Sequence, residues 1–168
     1  QIRFLLTVGI LGFFSCDNPI EFAEGEPLFS GTGVFTFSDY QPLSDKPVAV
    51  FYHVPENVGP TTPIVFIFHG TNRNAADYRN AWINKANEKG FMVFAPRFTD
   101  NQYPGGDGYN LGNVFEDGDN PSPISLNPEE VWTFSMIEPL FDHVKTAMEN
   151  FSPNYPIYGH SAGAQFAH

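Results

Sequence analysis

The chain is poor in cysteine and in basic residues. Of its 168 residues one is a cysteine, Cys16, and eight are Lys or Arg against 19 Asp or Glu. A single cysteine excludes an intramolecular disulfide. The formal net charge of -11 argues against nucleic acid as a partner, because phosphate binding requires clustered Lys and Arg. The apolar run 4–14 is also shorter than the roughly 20 residues that a membrane-spanning helix needs.

The N-terminal residues instead have the pattern of an export signal. Arg3 precedes the apolar run 4–14, and Ser15 and Cys16 follow it. A basic residue, a short apolar run and a small residue are typical of a secretory signal, so we predict a signal peptide over 1–15. Ser15-Cys16 resembles the lipobox of bacterial lipoproteins, with Phe at the two positions before Ser15. A short buried strand or helix is the alternative.

This interpretation makes Cys16 the lipid-bearing residue. The polar stretch that follows, with its Pro and Gly residues, then predicts a lipid-attachment and tether segment over 16–33. We expect a secreted or bacterial cell-envelope protein that touches a membrane only through Cys16.

Residues 34–168 predict one α/β domain. Apolar strands are expected at 34–37, 47–55, 64–68, 91–95 and 156–158, and the runs IVFIF and FMVFA show no polar alternation. Such runs are typical of strands that are buried on both faces. Because helical patterns lie between these strands, we expect a mostly parallel sheet with helices on both faces.

Two helices follow from capping signals. Asn74 and Gly90 bracket a helical pattern as its N-cap and its terminator. A second helix is predicted to begin at Asn127 as cap, with Pro128 in its first turn, and to be kinked at Pro139.

Residues 97–128 contain no periodic segment and are rich in Gly, Asn, Asp and Pro. A loop of this length in a domain is usually functional or disordered. Tyr103, Tyr109 and Asn110 are therefore candidate residues of a substrate cleft, with a solvated surface loop as the alternative. The acidic residues of 116–119 lack the spacing of a calcium loop and favour a solvated turn. We predict no metal and no cofactor.

A pattern for nucleophilic catalysis stands at 159–163, where Gly159 and Gly163 flank Ser161 at two residues on each side. A tight turn from strand to helix projects a serine hydroxyl away from the sheet, and glycines relieve the crowding of its backbone. Ala162 then offers its N–H to the oxygen of an attacked carbonyl. The alternative is that Ser161 serves only as a helix N-cap.

A second N–H donor is expected from the loop after strand 64–68. Residues His69-Gly70-Thr71 begin this loop, and glycine there allows a backbone N–H to face the serine. We assign the second donor to Thr71, with Gly70 and Asn72 as alternatives. His69 is interpreted as a residue that packs within the loop.

The segments FIFHGTNRNAADY, FMVFAPRF and IYGHSAGAQFAH together resemble the α/β-hydrolases. Most similar among them are secreted esterases related to polyhydroxybutyrate depolymerases, and the resemblance covers about 48–168. It implies that Ser161 is the nucleophile, that Ala162 and Thr71 form the oxyanion hole, and that an acid and a histidine follow the serine helix. No residue of this sequence occupies those two positions.

The predicted function is hydrolysis of a small or polymeric carboxylic ester through an acyl-enzyme on Ser161. A serine peptidase of the same fold and a non-catalytic surface binding protein on this scaffold are the alternatives. The resemblance implies an N-terminal part of a longer domain. We therefore expect residues 17–168 alone to be insoluble and inactive, because strand 156–158 would present an unpaired edge.

Overall fold

The computed structural model describes residues 30–168, so the predictions for 1–15, Cys16 and most of the tether lie outside the described residues. Five strands are present: β1 (Gly31–Phe37), β2 (Val48–Val54), β3 (Ile64–Phe68), β4 (Met92–Arg97) and β5 (Ile157–Gly159). The α-helices are α1 (Ala75–Lys89), α2 (Gly105–Gly108), α3 (Ile137–Met148) and α4 (Ala162–Ala167). Short 3-10 turns lie at Gln41–Leu43, Glu129–Val131 and Thr133–Met136.

The strands form one mixed sheet in the order β1-β2-β4-β3-β5. β2 pairs antiparallel with both β1 and β4, whereas β3 pairs parallel with β4 and with β5. The parallel pairings bring the carboxyl ends of β3, β4 and β5 to the same edge of the sheet. The loops that follow these three strands therefore meet at one place.

Both faces of the sheet are covered, as the uninterrupted apolar run of β3 predicts. Phe66 and Phe68 pack into the core beneath α3 and α4, whereas Val65 and Ile67 pack into the core beneath α1. All four side chains are at least nine-tenths buried. The expected α/β class with helices on both faces is confirmed.

Helix α1 has the predicted bounds, with Asn74 as its N-cap residue and Gly90 as its C-cap. Gly90 adopts a left-handed conformation with φ of 70°, which glycine reaches without steric cost. The side chain of Asn74 makes no capping hydrogen bond to the backbone, and its amide Nδ2 donates to the Asp77 carboxylate at 2.8 Å.

The second predicted helix differs from the expectation. The segment after Asn127 forms two 3-10 turns, and α3 begins only at Ile137. Pro139 thus lies in the first turn of α3, where a missing N–H removes no intrahelical hydrogen bond and causes no internal break. Asn127 is not a cap: its amide donates to the Asn113 carbonyl at 3.0 Å.

Strand β5 lies at the edge of the described sheet. Ile157 is 43% exposed and Tyr158 is 42% exposed, although the Tyr158 ring packs edge-on against Trp82 at 4.9 Å between centroids. That β5 is an interior strand of a larger sheet remains a prediction. Among residues 30–168, no helix has the length and apolar character to cross a membrane.

Candidate active site

Ser161 sits in a strained turn between β5 and α4. Its backbone has φ of 55° and ψ of -122°, a combination that non-glycine residues rarely adopt. Its side chain is exposed and makes no capping hydrogen bond, which argues against a purely capping role. Within residues 30–168 the Ser161 hydroxyl has no hydrogen-bond partner.

The two flanking glycines are required by close backbone contacts. A Cβ on Gly159 would lie 2.0 Å from the Gly163 carbonyl oxygen, and one on Gly163 would lie 2.2 Å from the Phe68 carbonyl oxygen. Both separations are far below van der Waals contact, so neither position accepts a side chain. Helix α4 can therefore start directly against the end of β3.

The loop after β3 lies against this turn, as the His-Gly pattern predicts. A Cβ on Gly70 would lie 3.6 Å from Ser161 Cβ, and Thr71 shares a cleft with Ser161 and Ala162. The N–H groups of Thr71 and Ala162 have no acceptor among residues 30–168. Two unpaired N–H groups beside a serine hydroxyl are what stabilisation of an oxyanion requires.

His69 packs within the loop and does not face the serine hydroxyl as a base. Its side chain is fully buried; Nδ1 donates to the Gly70 carbonyl at 2.9 Å, and Nε2 accepts from the Phe98 N–H at 3.1 Å. Burial lowers the pKa of His69 to about 4. The ring is therefore neutral at pH 7, in the tautomer that carries its proton on Nδ1.

Three further histidines are hydrogen-bonded to groups other than Ser161. His160 Nδ1 and the Tyr78 hydroxyl share a hydrogen bond of 2.9 Å, so this ring turns toward α1. His53 Nε2 lies 2.8 Å from the Asn87 side chain, and His143 Nδ1 lies 2.7 Å from Asp39. His168 lies seven residues beyond Ser161 along the chain.

A cleft of about 450 Å³ opens in front of Ser161. The residues that line it come from the loops after β3 and β4 and from the start of α4: Thr71, Arg73, Asp100, Gly105, Gly106, Tyr109, Asn110, Ser161, Ala162 and Gln165. Two of the three candidate cleft residues, Tyr109 and Asn110, are among them. Tyr109 is fully buried and forms the floor, with its hydroxyl donating to the His69 carbonyl at 2.8 Å.

Tyr103, the third candidate, does not line this cleft. It is 2% exposed, its ring packs edge-on against Phe98 at 5.0 Å, and its hydroxyl donates to the Lys46 carbonyl at 2.6 Å. The loop thus folds Tyr103 into the core. An aromatic residue in an aperiodic loop gives no sequence signal that separates a core position from a cleft position.

Arg73 joins the two loops that form the cleft walls. Its guanidinium donates to the Phe98 and Gly105 carbonyls, each at 2.8 Å, and lies 3.4 Å from the Asp100 carboxylate. It also stacks 4.5 Å from the centroid of the Tyr109 ring. Its backbone is left-handed, with φ of 56°. These contacts tie the loop after β3 to the loop after β4.

The acidic residues of 116–119 lie in a turn in which the Asp117 carboxylate accepts hydrogen bonds from neighbouring residues. The Asp117 carboxylate accepts from the Asp119 N–H at 3.0 Å and from the Asn120 amide at 2.8 Å. Within residues 30–168, no group of three His, Cys, Asp or Glu side chains is arranged to hold a metal ion.

Arg73, Asp100 and Gln165 are cleft residues that sequence reasoning missed. Gln165 follows Ser161 by four residues, a spacing that puts both on one face of a helix, so its position was recoverable from the sequence. Arg73 and Asp100 lie in non-helical loops, whose shape no periodic pattern predicts.

Comparison with solved structures gives the fold class. A poly(aspartic acid) hydrolase from Sphingomonas sp. KT-1 matches with a TM-score of 0.71 and 40% identity, over 83% of this chain and 50% of that one. A poly(3-hydroxybutyrate) depolymerase from Bordetella parapertussis matches with a TM-score of 0.69 and 30% identity, over 82% of this chain and 45% of that one. No protein-family model and no curated protein matches the chain significantly.

A more distant neighbour is an S-formylglutathione hydrolase from Agrobacterium tumefaciens, with a TM-score of 0.58, 19% identity, and coverage of 84% of this chain and 53% of that one. The chain spans about half the length of these structures. It has the α/β-hydrolase-like fold of esterases, which confirms the resemblance drawn from its sequence.

Gly163→Ala should destabilise the protein by at least about 3 kcal/mol, because the new methyl group overlaps the Phe68 carbonyl and α4 must move. Urea denaturation of the whole protein measures this change. Ala164→Ser, one residue further along the exposed side of α4, is the matched control and should cost less than about 1 kcal/mol. Equal stability of Gly163→Ala and the parent would contradict the close contact.

Acid should destabilise the fold through His69. Because burial lowers its folded pKa to about 4 from 6.5, the unfolded chain binds a proton between these pH values that the folded chain does not. The free energy of unfolding should therefore fall by about 3 kcal/mol from this residue as pH drops from 6.5 to 4. Urea midpoints across this range should fall less steeply in His69→Gln, whose amide can replace both hydrogen bonds.

His168→Gln is the control for this pH dependence, because His168 is exposed. In this variant the urea midpoint should fall with decreasing pH as steeply as in the parent. An unchanged slope in His69→Gln would show that the buried ring does not resist protonation.

Proposed function

We propose that this chain carries the nucleophile and oxyanion hole of a serine hydrolase that cleaves carboxylic esters. The observation that carries the proposal is the strained Ser161 turn beside two unpaired N–H groups, those of Thr71 and Ala162. Ser161 Oγ attacks the ester carbonyl, the carbonyl oxygen takes the negative charge and accepts from both N–H groups, and the alcohol leaves. Water then attacks the acyl-enzyme and releases the acid.

Ser161 needs a general base within about 3 Å of its hydroxyl. The Ser161 hydroxyl has no such partner among residues 30–168, and His53, His69, His143 and His160 are hydrogen-bonded to other groups. We therefore propose that a histidine and an orienting carboxylate from outside the described residues complete the site. That histidine takes the serine proton and later gives it to the leaving alcohol.

Amide hydrolysis is the second candidate. It is supported by the 40% identity with a protein named as a hydrolase of poly(aspartic acid), a polymer joined by amide bonds. The same nucleophile and oxyanion donors serve both reactions. The difference lies in the leaving group, because an amine must be protonated as it departs, whereas an activated phenolate need not be.

Export and lipid attachment at Cys16 remain proposals on the sequence pattern alone. A non-catalytic binding protein on the same scaffold would not require the Ser161 conformation, since the strained backbone of a nucleophile carries an energetic cost without benefit to binding.

Ser161→Ala should abolish esterase activity of the whole protein. We expect hydrolysis of p-nitrophenyl butyrate to fall by at least about 10⁴-fold, as for removal of a catalytic nucleophile. A fluorophosphonate should label the parent at Ser161 and leave the variant unlabelled, as read by mass spectrometry of peptides. Equal rates in the parent and Ser161→Ala would eliminate the proposal.

The bond specificity is tested with a matched ester and amide. We expect kcat/KM for p-nitrophenyl butyrate to exceed that for butyryl p-nitroanilide by at least about 10³-fold, since only the amide depends on protonation of its leaving group. Turnover of the anilide at a comparable, Ser161-dependent rate would favour the amide hydrolase instead.

A further inference from the structure

An amide pair bridges the mouth of the cleft. The Asn110 side chain donates from Nδ2 to Gln165 Oε1 at 2.8 Å, and both residues line the cleft with Ser161. Asn110 belongs to the loop after β4 and Gln165 to α4, so the bond spans the opening between two elements. Neither side chain has another hydrogen bond within residues 30–168.

Gln165 lies one helical turn after Ser161. Its backbone N–H donates to the Ser161 carbonyl at 3.2 Å, which puts the two residues one turn apart. Helix side chains lean toward the N-terminus, which agrees with the presence of Gln165 and Ser161 in the lining of one cleft.

The pair retains hydrogen-bonding capacity of both kinds. Once Asn110 Nδ2 donates to Gln165 Oε1, the pair still offers the N–H groups of Gln165 Nε2 and the acceptor Asn110 Oδ1. A donor next to an acceptor suits a neutral carbonyl or hydroxyl group. It suits a carboxylate poorly, because two neutral amides supply no positive charge to offset the desolvation of an anion.

The charges in the cleft also favour an uncharged substrate. Arg73 and Asp100 are its two charged lining residues, and they face each other at 3.4 Å. The Arg73 guanidinium already donates to two protein carbonyls, and the Asp100 carboxylate accepts from the Gly105 N–H at 3.0 Å. The cleft lining is thus formally neutral, in a chain with a net charge of -11 that repels polyanions.

We infer that Asn110 and Gln165 are specificity-determining residues that hydrogen-bond an uncharged carbonyl or hydroxyl group of the substrate, in the same cleft as Ser161. The cleft consequently selects neutral esters that carry a second polar group and disfavours anionic chains. This inference rests on the proposed ester hydrolysis at Ser161.

Two substrates that differ only in terminal charge test the inference: mono-p-nitrophenyl adipate and its methyl ester. In the whole protein, kcat/KM should be at least about tenfold higher for the methyl ester, since one unsatisfied polar contact typically costs this much. In Gln165→Leu, kcat/KM for the methyl ester should fall about tenfold more than kcat/KM for p-nitrophenyl butyrate. This loss should appear as a higher KM for the methyl ester. Gln165→Arg should shift the preference toward the free acid.

Asn84→Leu, which removes an exposed amide from α1, is the matched control. It should leave unchanged the kcat/KM of the methyl ester relative to the free acid and relative to p-nitrophenyl butyrate. Equal rates on the acid and the methyl ester, or equal losses on the methyl ester and butyrate in Gln165→Leu, would overturn the inference. Those results leave the proposed function intact as long as hydrolysis requires Ser161. Activity that survives in Ser161→Ala would instead refute the proposed function itself.

Discussion

The contact between the start of α4 and the end of β3 constrains every other part of the site. The Phe68 carbonyl lies so close to Gly163 that no side chain fits between them. This contact fixes the height of α4 over the sheet, and the backbone at Ser161 must then turn sharply to connect β5 to the helix. The strain at Ser161 is the local cost of that connection, and the packing of Phe166 against Phe68 at 4.6 Å helps to offset it.

Two loops complete the site because parallel pairing brings their strands to one edge. The loop after β3 supplies the unpaired N–H group of Thr71, and the loop after β4 supplies the floor and one wall. Arg73 and Tyr109 hold the loops together through carbonyl contacts and ring stacking. The arrangement uses the arginine as a structural brace, so its charge contributes little free attraction for a ligand.

Those parts of the fold whose signals are local could be predicted from the sequence. The apolar run of β3 and the Asn74 and Gly90 boundaries of α1 predicted their elements closely, because burial on both faces and a left-handed terminator leave direct marks in the residue pattern. The start of α3 was misjudged, since Pro139 is compatible with either a kink or a first turn. Tyr103 and Tyr109 could not be told apart, because their burial depends on contacts between distant segments.

The aromatic anchors of the long loop have a consequence for how this protein can change over evolution. Tyr103 and Tyr109 fix the first part of the loop in the core, whereas Ile124 is 97% exposed and the stretch around it is held at its base by the bridge between Phe115 and Leu126 and the hydrogen bonds beside it. Insertions or deletions near Ile124 would leave the anchored part in place. Lineages of this scaffold can therefore vary the outer rim in length while the geometry around Ser161 is inherited unchanged.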